Sequence, residues 1–257
     1  MDRSAYDRFF ELELRHFWRI GKRRLVHEWM EHYAVKPGGR SGTLRILDIG
    51  GACSIIPKEL EQFGPVRVIE SDHDTVEFAR ERLKLDIHEA VFPQQVSADE
   101  QYEVVTMFDV LEHIEDDVDA LRAVHRLLAD GGLFMCTVPA LMSLWSDHDV
   151  VLHHYRRYTR KQLQTMLTGA GFRVERITYY TGLLLPVLAL QRAAGRLKGA
   201  VTGKHKTEYD VKVPPGPLNA LFGVTMSVER WLLRGSNVWL GSSLIAVARK
   251  AGTNPAA

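Results

Sequence analysis

The feature that most constrains the fold is the regular alternation of short apolar runs with amphipathic stretches between residues 44 and 180. The run LRILDI at residues 44–49 leads into Asp48-Ile49-Gly50-Gly51, which predicts a buried strand entering a tight turn. The same patterns predict further strands at residues 66–70, 87–92, 103–108, 133–138, 172–178 and 242–250, and helices at 55–63, 75–83, 117–128 and 159–169. Strands that alternate with helices predict an α/β fold with a mainly parallel sheet covered on both faces.

The two flanks of this core have a different character. Residues 5–34 are predicted to be helical, with aromatic and aliphatic positions on one face. Residues 183–196 and 218–234 are predicted to form two further helices, because the roughly sixty residues between the last two strands far exceed a usual loop. We therefore expect an N-terminal helical lid at residues 1–36, a core at 43–180 and 236–250, and a helical cap at 181–235.

Composition excludes several classes of protein. The 33 basic and 32 acidic residues leave a net charge of +1, which argues against non-specific nucleic-acid binding. The two cysteines, Cys53 and Cys136, lack CxxC spacing and suit a reducing compartment. The N-terminus lacks the pattern of a signal peptide, and residues 183–190 are far shorter than the roughly 20 apolar residues of a membrane span. We expect a cytoplasmic protein that does not span a membrane.

The carboxyl ends of the predicted strands carry acidic side chains, and this is where open α/β sheets bind ligands. Asp48, Glu70 and Asp109 follow the first, second and fourth strands. Glu70, 22 positions after Asp48, is placed to accept both hydroxyls of a ribose. This pattern predicts a nucleoside site, and its alternative is a buried α/β core with capping carboxylates.

The first turn discriminates between two nucleosides. A pyrophosphate of NAD would be repelled by Asp48 and crowded by Ala52 and Ser54, whereas S-adenosylmethionine has no phosphate and carries an ammonium and a sulfonium. The turn therefore favours S-adenosylmethionine, with an NAD-dependent oxidoreductase as the rival interpretation.

Four segments resemble successive motifs of the class I S-adenosylmethionine-dependent methyltransferases, in the family's order. They are ILDIGGACS at residues 46–54, VIESDHDTVEFAR at 68–80, VVTMFDVLEHIED at 104–116 and LLADGGLFMCTVP at 127–139. The likeness covers about residues 40–180. It implies a Rossmann-like seven-stranded mixed sheet of order 3-2-1-4-5-7-6, in which the seventh strand is antiparallel and the helical cap is inserted between strands 6 and 7.

The resemblance also implies roles for individual residues at the donor site. The implied binding residues are Asp48, Gly50, Gly51 and Ala52 at the methionine end, Glu70 at the ribose, Ser71 beside the adenine, and Asp109 closing the pocket. The family's first turn usually has three alternating glycines, and here the second and third positions are Ala52 and Ser54. This departure motivates a second hypothesis, a catalytically silent member that acts as a binding or assembly protein.

The acceptor side has two candidate regions. Methyl transfer needs an aligned nucleophile and, for a hydroxyl or a protonated amine, removal of a proton. His113 after the fourth strand is the candidate catalytic base, although it could instead pack against the next helix. The candidate substrate contacts after the fifth strand are Trp145, Asp149, His154, Arg156, Arg157 and Tyr158. The alternatives for this segment are a polar loop that ties the next helix to the sheet, or a metal site; we predict no metal, because the spacing matches no familiar zinc motif.

The lid and the cap add the remaining expectations. His16 and Trp18 resemble the aromatic N-terminal helix that many family members fold over the donor, and they are candidate substrate contacts; a helix simply packed on the core is the alternative. The cap is expected to form a dimer or to pack on the core; contact with a membrane surface or a lipid-linked acceptor, through its apolar run with Arg192, Arg196 and Lys198, is the alternative. We expect methyl transfer from S-adenosylmethionine, with S-adenosylhomocysteine as product, to a small-molecule or carrier-linked metabolite. The acceptor atom (oxygen, nitrogen or carbon) is left open.

Overall fold

The computed structural model describes residues 3–35, 43–202 and 211–251. Its seven strands form one sheet of order β3-β2-β1-β4-β5-β7-β6, which confirms the predicted order. The strands are β1 (Ile46–Ile49), β2 (Val66–Glu70), β3 (Asp86–Glu89), β4 (Tyr102–Phe108), β5 (Leu128–Pro139), β6 (Phe172–Tyr180) and β7 (Ser243–Lys250). The first five strands are parallel, and β7 is antiparallel to both of its neighbours, β5 and β6.

Helices cover both faces of this sheet. They are α1 (Arg3–Arg15), α2 (Phe17–Met30), α3 (Ile56–Leu60), α4 (His73–Leu83), α5 (Asp117–Leu127), α6 (Asp147–Val151), α7 (Arg160–Gly169), α8 (Leu185–Thr202) and α9 (Gly216–Leu232). One apolar cluster joins the sheet to α5 and α7 through Leu121 and Leu163, and the other joins it to α2, α3 and α4 through Leu25, Leu60 and Val76. Because β1, β2 and β4 run parallel, their carboxyl ends lie at the same edge of the sheet.

The sequence pattern predicted one continuous N-terminal helix, but this helix breaks at His16. The backbone of His16 is extended, and its imidazole Nδ1 accepts a hydrogen bond from the amide of Trp18, which starts α2 as a new helix. A single turn of π-helix, Glu31–Val35, follows α2.

The strand predicted at residues 133–138 begins earlier than expected. Helix α5 stops at Leu127, and Gly131 and Gly132 lie within β5, which starts at Leu128. Pairing with β4 shifts there from Tyr102–Leu128 to Val104–Leu133, which leaves extra residues on β5. Gly131 has φ +69°, a conformation that glycine adopts without steric cost, so the glycines allow an irregularity in the strand instead of ending the helix.

The N-terminal helices and the helices between β6 and β7 are neighbours. The ring centroids of Phe17 and Phe222 lie 5.1 Å apart, and Asn219 accepts from the amide of Phe17 at 3.0 Å. Arg230 pairs with Glu28 at 3.1 Å. These contacts hold α2 against α9. Within the predicted lid and cap, residues 1, 2, 36 and 203–210 lie outside the described residues.

None of the helices in the described ranges has both the length and the apolar character needed to cross a membrane.

Candidate active site

The turn after β1 is built around one buried carboxyl group. The Oδ2 atom of Asp48 accepts a hydrogen bond from Thr106 Oγ1 at 2.5 Å, while Oδ1 has no partner among the residues that the structure describes. A Cβ at position 51 would lie 1.7 Å from that Oδ1. Gly50 has φ +72°, and a Cβ there would lie 2.7 Å from Val110. Both glycines are therefore required by the turn, and Gly51 keeps one face of Asp48 clear.

The buried position of Asp48 changes its acidity. Burial raises its pKa to about 7, although the hydrogen bond from Thr106 and the charge of Lys22 oppose this effect. The group is therefore part protonated near neutral pH, and a cation beside Oδ1 would stabilise the ionised form.

Glu70 at the tip of β2 is held by its own turn. Its Oε1 atom accepts hydrogen bonds from the amides of Ser71 at 2.8 Å and Asp72 at 3.1 Å. Burial is the main cause that raises its pKa. Asp72 in turn caps α4 by accepting from the amide of Thr75 at 2.9 Å, and Ser71 is exposed. The turn therefore fixes the direction of the Glu70 carboxylate before any ligand arrives.

Asp109 at the tip of β4 forms an ion pair that sequence reasoning missed. Its backbone has φ +57°, and its carboxylate accepts from Thr137 Oγ1 at 2.9 Å and from Lys22 Nζ at 2.7 Å. Burial alone would raise the pKa of Asp109, but the charge and hydrogen bond of Lys22 lower it below the ordinary value. A lysine on an amphipathic helix normally faces solvent, yet the side chain of Lys22 is only 6% exposed. Its position one turn after Trp18 was the available signal.

The N-terminal helices reach over this edge. Trp18 Nε1 donates to Thr181 Oγ1 at 3.2 Å, and Ser54 Oγ donates to Glu13 of α1 at 3.0 Å. The ring of His16 stacks on Phe17, and burial lowers its pKa to about 4, with a smaller contribution from the charge of Arg19. Ala52 is completely buried. Ser54 thus binds the N-terminal helix next to the turn.

The segment after β5 contains a buried network centred on Asp149. Its carboxylate accepts from Arg157 Nε at 2.7 Å and from the Ser146 amide at 2.9 Å, and its Oδ1 lies 3.0 Å from His154 Nδ1. Burial opposes ionisation of this carboxyl group, but the hydrogen bonds from His154 and Arg157 hold its pKa well below the ordinary value. Asp149, His154 and Arg157, three of the predicted substrate contacts, therefore bind one another.

Two more predicted contacts bind protein groups nearby. Arg156 pairs with Asp117 at 2.6 Å, and Tyr158 Oη donates to the same carboxylate at 2.9 Å. Arg157 Nη1 also donates to the carbonyl of Ala140 at 3.0 Å. Trp145 is half-buried. These contacts tie the segment to α5 and β5, as the polar-loop alternative expects, and a contact with substrate stays a prediction.

A single turn of 3₁₀-helix, Leu111–His113, follows β4 and faces this segment. His113 is exposed, and its ring meets that of His154 edge to face with centroids 4.7 Å apart. Partial desolvation and the neighbouring His154 lower the pKa of His113 to about 4, so the ring is neutral at pH 7 and a weak base. Sequence reasoning passed over Glu112, which is fully buried; burial, with the charge of Asp109, raises its pKa well above the ordinary value.

Comparisons with known proteins converge on one family. A family model described as a methyltransferase domain matches residues 14–177. A protein of Mycolicibacterium smegmatis described as an S-adenosylmethionine-dependent methyltransferase is 32% identical over 114 residues, which are 42% of this chain and 44% of that relative. A ubiquinone biosynthesis O-methyltransferase of Pseudomonas aeruginosa is 33% identical over 103 residues, which are 37% of this chain and 44% of that protein. Each match thus spans less than half of the relative's length.

Solved structures share the fold over a longer stretch. A protein of Bacillus halodurans assigned as a methyltransferase superposes with a TM-score of 0.60 at 16% identity, covering 88% of this chain and 98% of that one. At this identity the likeness concerns the fold alone.

Proposed function

The chain belongs to the class I S-adenosylmethionine-dependent methyltransferase family, and we propose that it transfers the methyl group of S-adenosylmethionine to a hydroxyl group of a small-molecule or lipid-linked acceptor. The supporting observation is the buried Oδ1 of Asp48, which has no partner in the described ranges and lies against the obligatory Gly51. The relative named as a ubiquinone biosynthesis O-methyltransferase favours oxygen as the acceptor atom.

The residues at the strand tips fit the charges of this donor. S-adenosylmethionine carries an ammonium, a sulfonium and a carboxylate, and the edge offers Asp48 to a cation and Lys22 to the carboxylate. Glu70 would accept the ribose hydroxyls, with Ser71 beside the adenine. Gly50, Gly51 and Ala52 would line the methionine end, and Asp109 would close the pocket. When bound, the donor supplies an activated methyl group, and the protein supplies alignment of the acceptor.

The N-terminal helices would act as the lid over the donor. Trp18 and Lys22 lie on the face of α2 that meets the strand tips, and His16 fixes where that helix begins. We expect His16 to act on this site through the start of α2, and Trp18 through direct contact.

The acceptor would lie beside His113, between the tips of β4 and β5. Trp145 is half-buried and available for contact there, whereas the side chain of His154 is only 7% exposed and would reach the acceptor by its edge alone. Asp149, Arg156, Arg157 and Tyr158 would position the segment by the contacts described above.

The helices between β6 and β7 favour an acceptor with an apolar chain at a membrane surface. On α9 one stripe of exposed apolar side chains recurs every three or four residues, and α8 carries a second set. The members are Leu218, Leu221, Val224, Val228 and Trp231 on α9, and Val187, Leu190 and Leu197 on α8. The sequence of α8 contains three basic residues and no acidic one, a positive balance that suits anionic lipid, although Arg192 and Arg196 also donate hydrogen bonds to Ser146 Oγ and to the carbonyl of Ser143.

An apolar groove lies next to that stripe. A cavity of about 570 Å³ runs between α2 and α9, and its lining includes Phe17, Ile20 and Trp231. An apolar chain of the acceptor would bind in this groove, beside the exposed stripe of α9.

Calorimetric titration with S-adenosylmethionine, S-adenosylhomocysteine and NADH tests the donor. We expect micromolar binding of the first two only. Binding of neither would support the silent binding protein, and binding of NADH alone would support the oxidoreductase. Incubation with isotopically labelled donor and cell extract, followed by identification of the labelled product, then identifies the acceptor.

Vesicle sedimentation tests the membrane contact. We expect binding to phosphatidylcholine vesicles that contain phosphatidylglycerol, and loss of binding in Leu190→Glu and Leu221→Glu. Leu14→Glu, at an exposed leucine of α1, is the matched control. Equal sedimentation of all variants would contradict the contact, as would a stable dimer in light scattering that both cap substitutions break.

A further inference from the structure

Three potential ligand side chains meet between the turn after β4 and the segment after β5. They are Glu112, His113 and His154, and one ligand atom from each lies within 4.8 Å of the others. The two histidine rings meet edge to face. The backbone fixes the two segments to each other, because the amide of Tyr155 donates to the carbonyl of Glu112 at 2.8 Å.

Glu112 is the unusual member of this group. Glu112 is 0% exposed, and neither of its carboxylate oxygens has a hydrogen-bond partner in the part of the chain that the structure describes. Buried carboxylates are normally hydrogen-bonded or paired, because leaving such a group without a partner destabilises the fold. A bound cation at this point would remove that cost.

His154 is oriented by an outer partner, as metal-binding histidines are. Its Nδ1 atom lies 3.0 Å from the buried carboxylate of Asp149, which leaves Nε2 as the nitrogen for another partner. A carboxylate or carbonyl on one nitrogen fixes the ring and its tautomer, so that the other nitrogen presents a lone pair. Asp149 is itself held by Arg157.

We propose that Glu112, His113 and His154 bind a divalent transition-metal ion of the Zn²⁺ or Mn²⁺ type. Two imidazoles and one carboxylate are a donor set that such ions accept. Bonds of about 2.1 Å hold ligand atoms roughly 3 to 3.5 Å apart, so small side-chain rotations from the present spacing complete the site. The prediction of no metal rested on the spacing of the segment after β5, and Glu112 lies outside that segment, in the turn after β4.

Three protein ligands leave positions free for other ligands. His113 is exposed, so these positions are open to a molecule arriving from the crevice. This use of the ion rests on the proposed function: an acceptor oxygen bound to the cation would be aligned and made more acidic, and its proton would pass to water. In that arrangement His113 is a ligand and not the base.

The test uses the whole chain after treatment with a chelator and removal of the chelator. We expect calorimetry to detect one equivalent of Zn²⁺ or Mn²⁺ with micromolar or tighter affinity, and Co²⁺ to give the visible absorption of a nitrogen-ligated site. Glu112→Gln and His154→Asn should each weaken binding at least about tenfold. His88→Asn, at an exposed histidine of β3, is the matched control and should bind as the parent does.

Thermal unfolding separates binding from folding. Because the oxygens of Glu112 have no described partner, Glu112→Gln should melt at or above the temperature of the parent without metal, yet lose the metal-induced rise in melting temperature. Equal metal affinity in the parent and Glu112→Gln would overturn the site, and so would the absence of binding at millimolar metal.

The experiments can contradict the metal site and the proposed function independently of each other. Metal binding without methyl transfer to any acceptor would leave the site standing and contradict the function. Methyl transfer that is unchanged by chelation and by Glu112→Gln would leave the function standing and overturn the role of the ion.

Discussion

The turn after β1 and the segment at residues 145–158 handle buried charge in opposite ways. In the segment, Asp149 meets Arg157 and His154, so its charge is matched inside the protein. In the turn, one oxygen of Asp48 has no partner among the described residues, and Gly51 keeps its surroundings clear. The segment has the higher density of functional groups, but the turn has the unsatisfied group. A buried polar atom without a partner is therefore the better guide to a ligand site.

The largest test of this comparison is Asp149→Asn. Removing the charge leaves the guanidinium of Arg157 buried and unpaired, and we expect the free energy of unfolding to fall by about 3–5 kcal/mol. Urea unfolding measures it. Asp86→Asn, which breaks an exposed pair with Arg67, should cost about 1 kcal/mol or less. If Asp149→Asn and Asp86→Asn lower the free energy of unfolding by the same amount, the contacts of Asp149 do not stabilise the fold.

The second test concerns the pH dependence of stability at Asp48. Its pKa in the folded protein is about 7 against an ordinary 3.8, so between these values the folded state keeps a proton that the unfolded state has lost. Stability from this group is present at low pH and is lost as the pH rises towards 7. From pH 5 to pH 7.5 the parent should lose about 2–3 kcal/mol relative to Asp48→Asn. If the parent and Asp48→Asn differ in free energy of unfolding by the same amount at both pH values, the raised pKa of Asp48 is contradicted.

The third test fills the space beside Asp48. The added methyl group of Gly51→Ala must displace the carboxylate that lies 1.7 Å away, so donor affinity should fall about tenfold to a hundredfold. Calorimetry with S-adenosylhomocysteine measures this. Gly169→Ala, at the end of α7 with no atom within 4 Å of the new Cβ, is the matched control. Unchanged affinity in Gly51→Ala would place the donor elsewhere.

The fourth test concerns the ribose and uses Glu70→Ala. Loss of the charged acceptor should weaken donor binding by more than about tenfold, because the ribose hydroxyls lose their partner. Glu77→Ala, at a carboxylate of α4 that pairs with Arg80, should leave binding unchanged. If the two variants bind alike, Glu70 does not contact the donor.

The sequence alone was sufficient for the order of the sheet and for the acidic strand tips. Apolar periodicity located the strands, and the motif order implied how they are arranged. The burial of Lys22 and Glu112 was not predictable in this way, because charged residues on short helical patterns normally face solvent. Their positions depend on how α2 and the turn after β4 pack on the sheet, which local sequence patterns do not encode. The break at His16 was missed for a related reason: one side-chain hydrogen bond decides it.

The position of β7 has a consequence for how the chain is made. In the sheet, β6 pairs with β7 alone, and β7 is the last strand in the sequence. During synthesis, β6 and the helix that precedes it emerge well before the strand that will join them to β5. We expect β6 to remain unpaired, with its edge open to aggregation, until residue 250 has left the ribosome and β7 can pair with it.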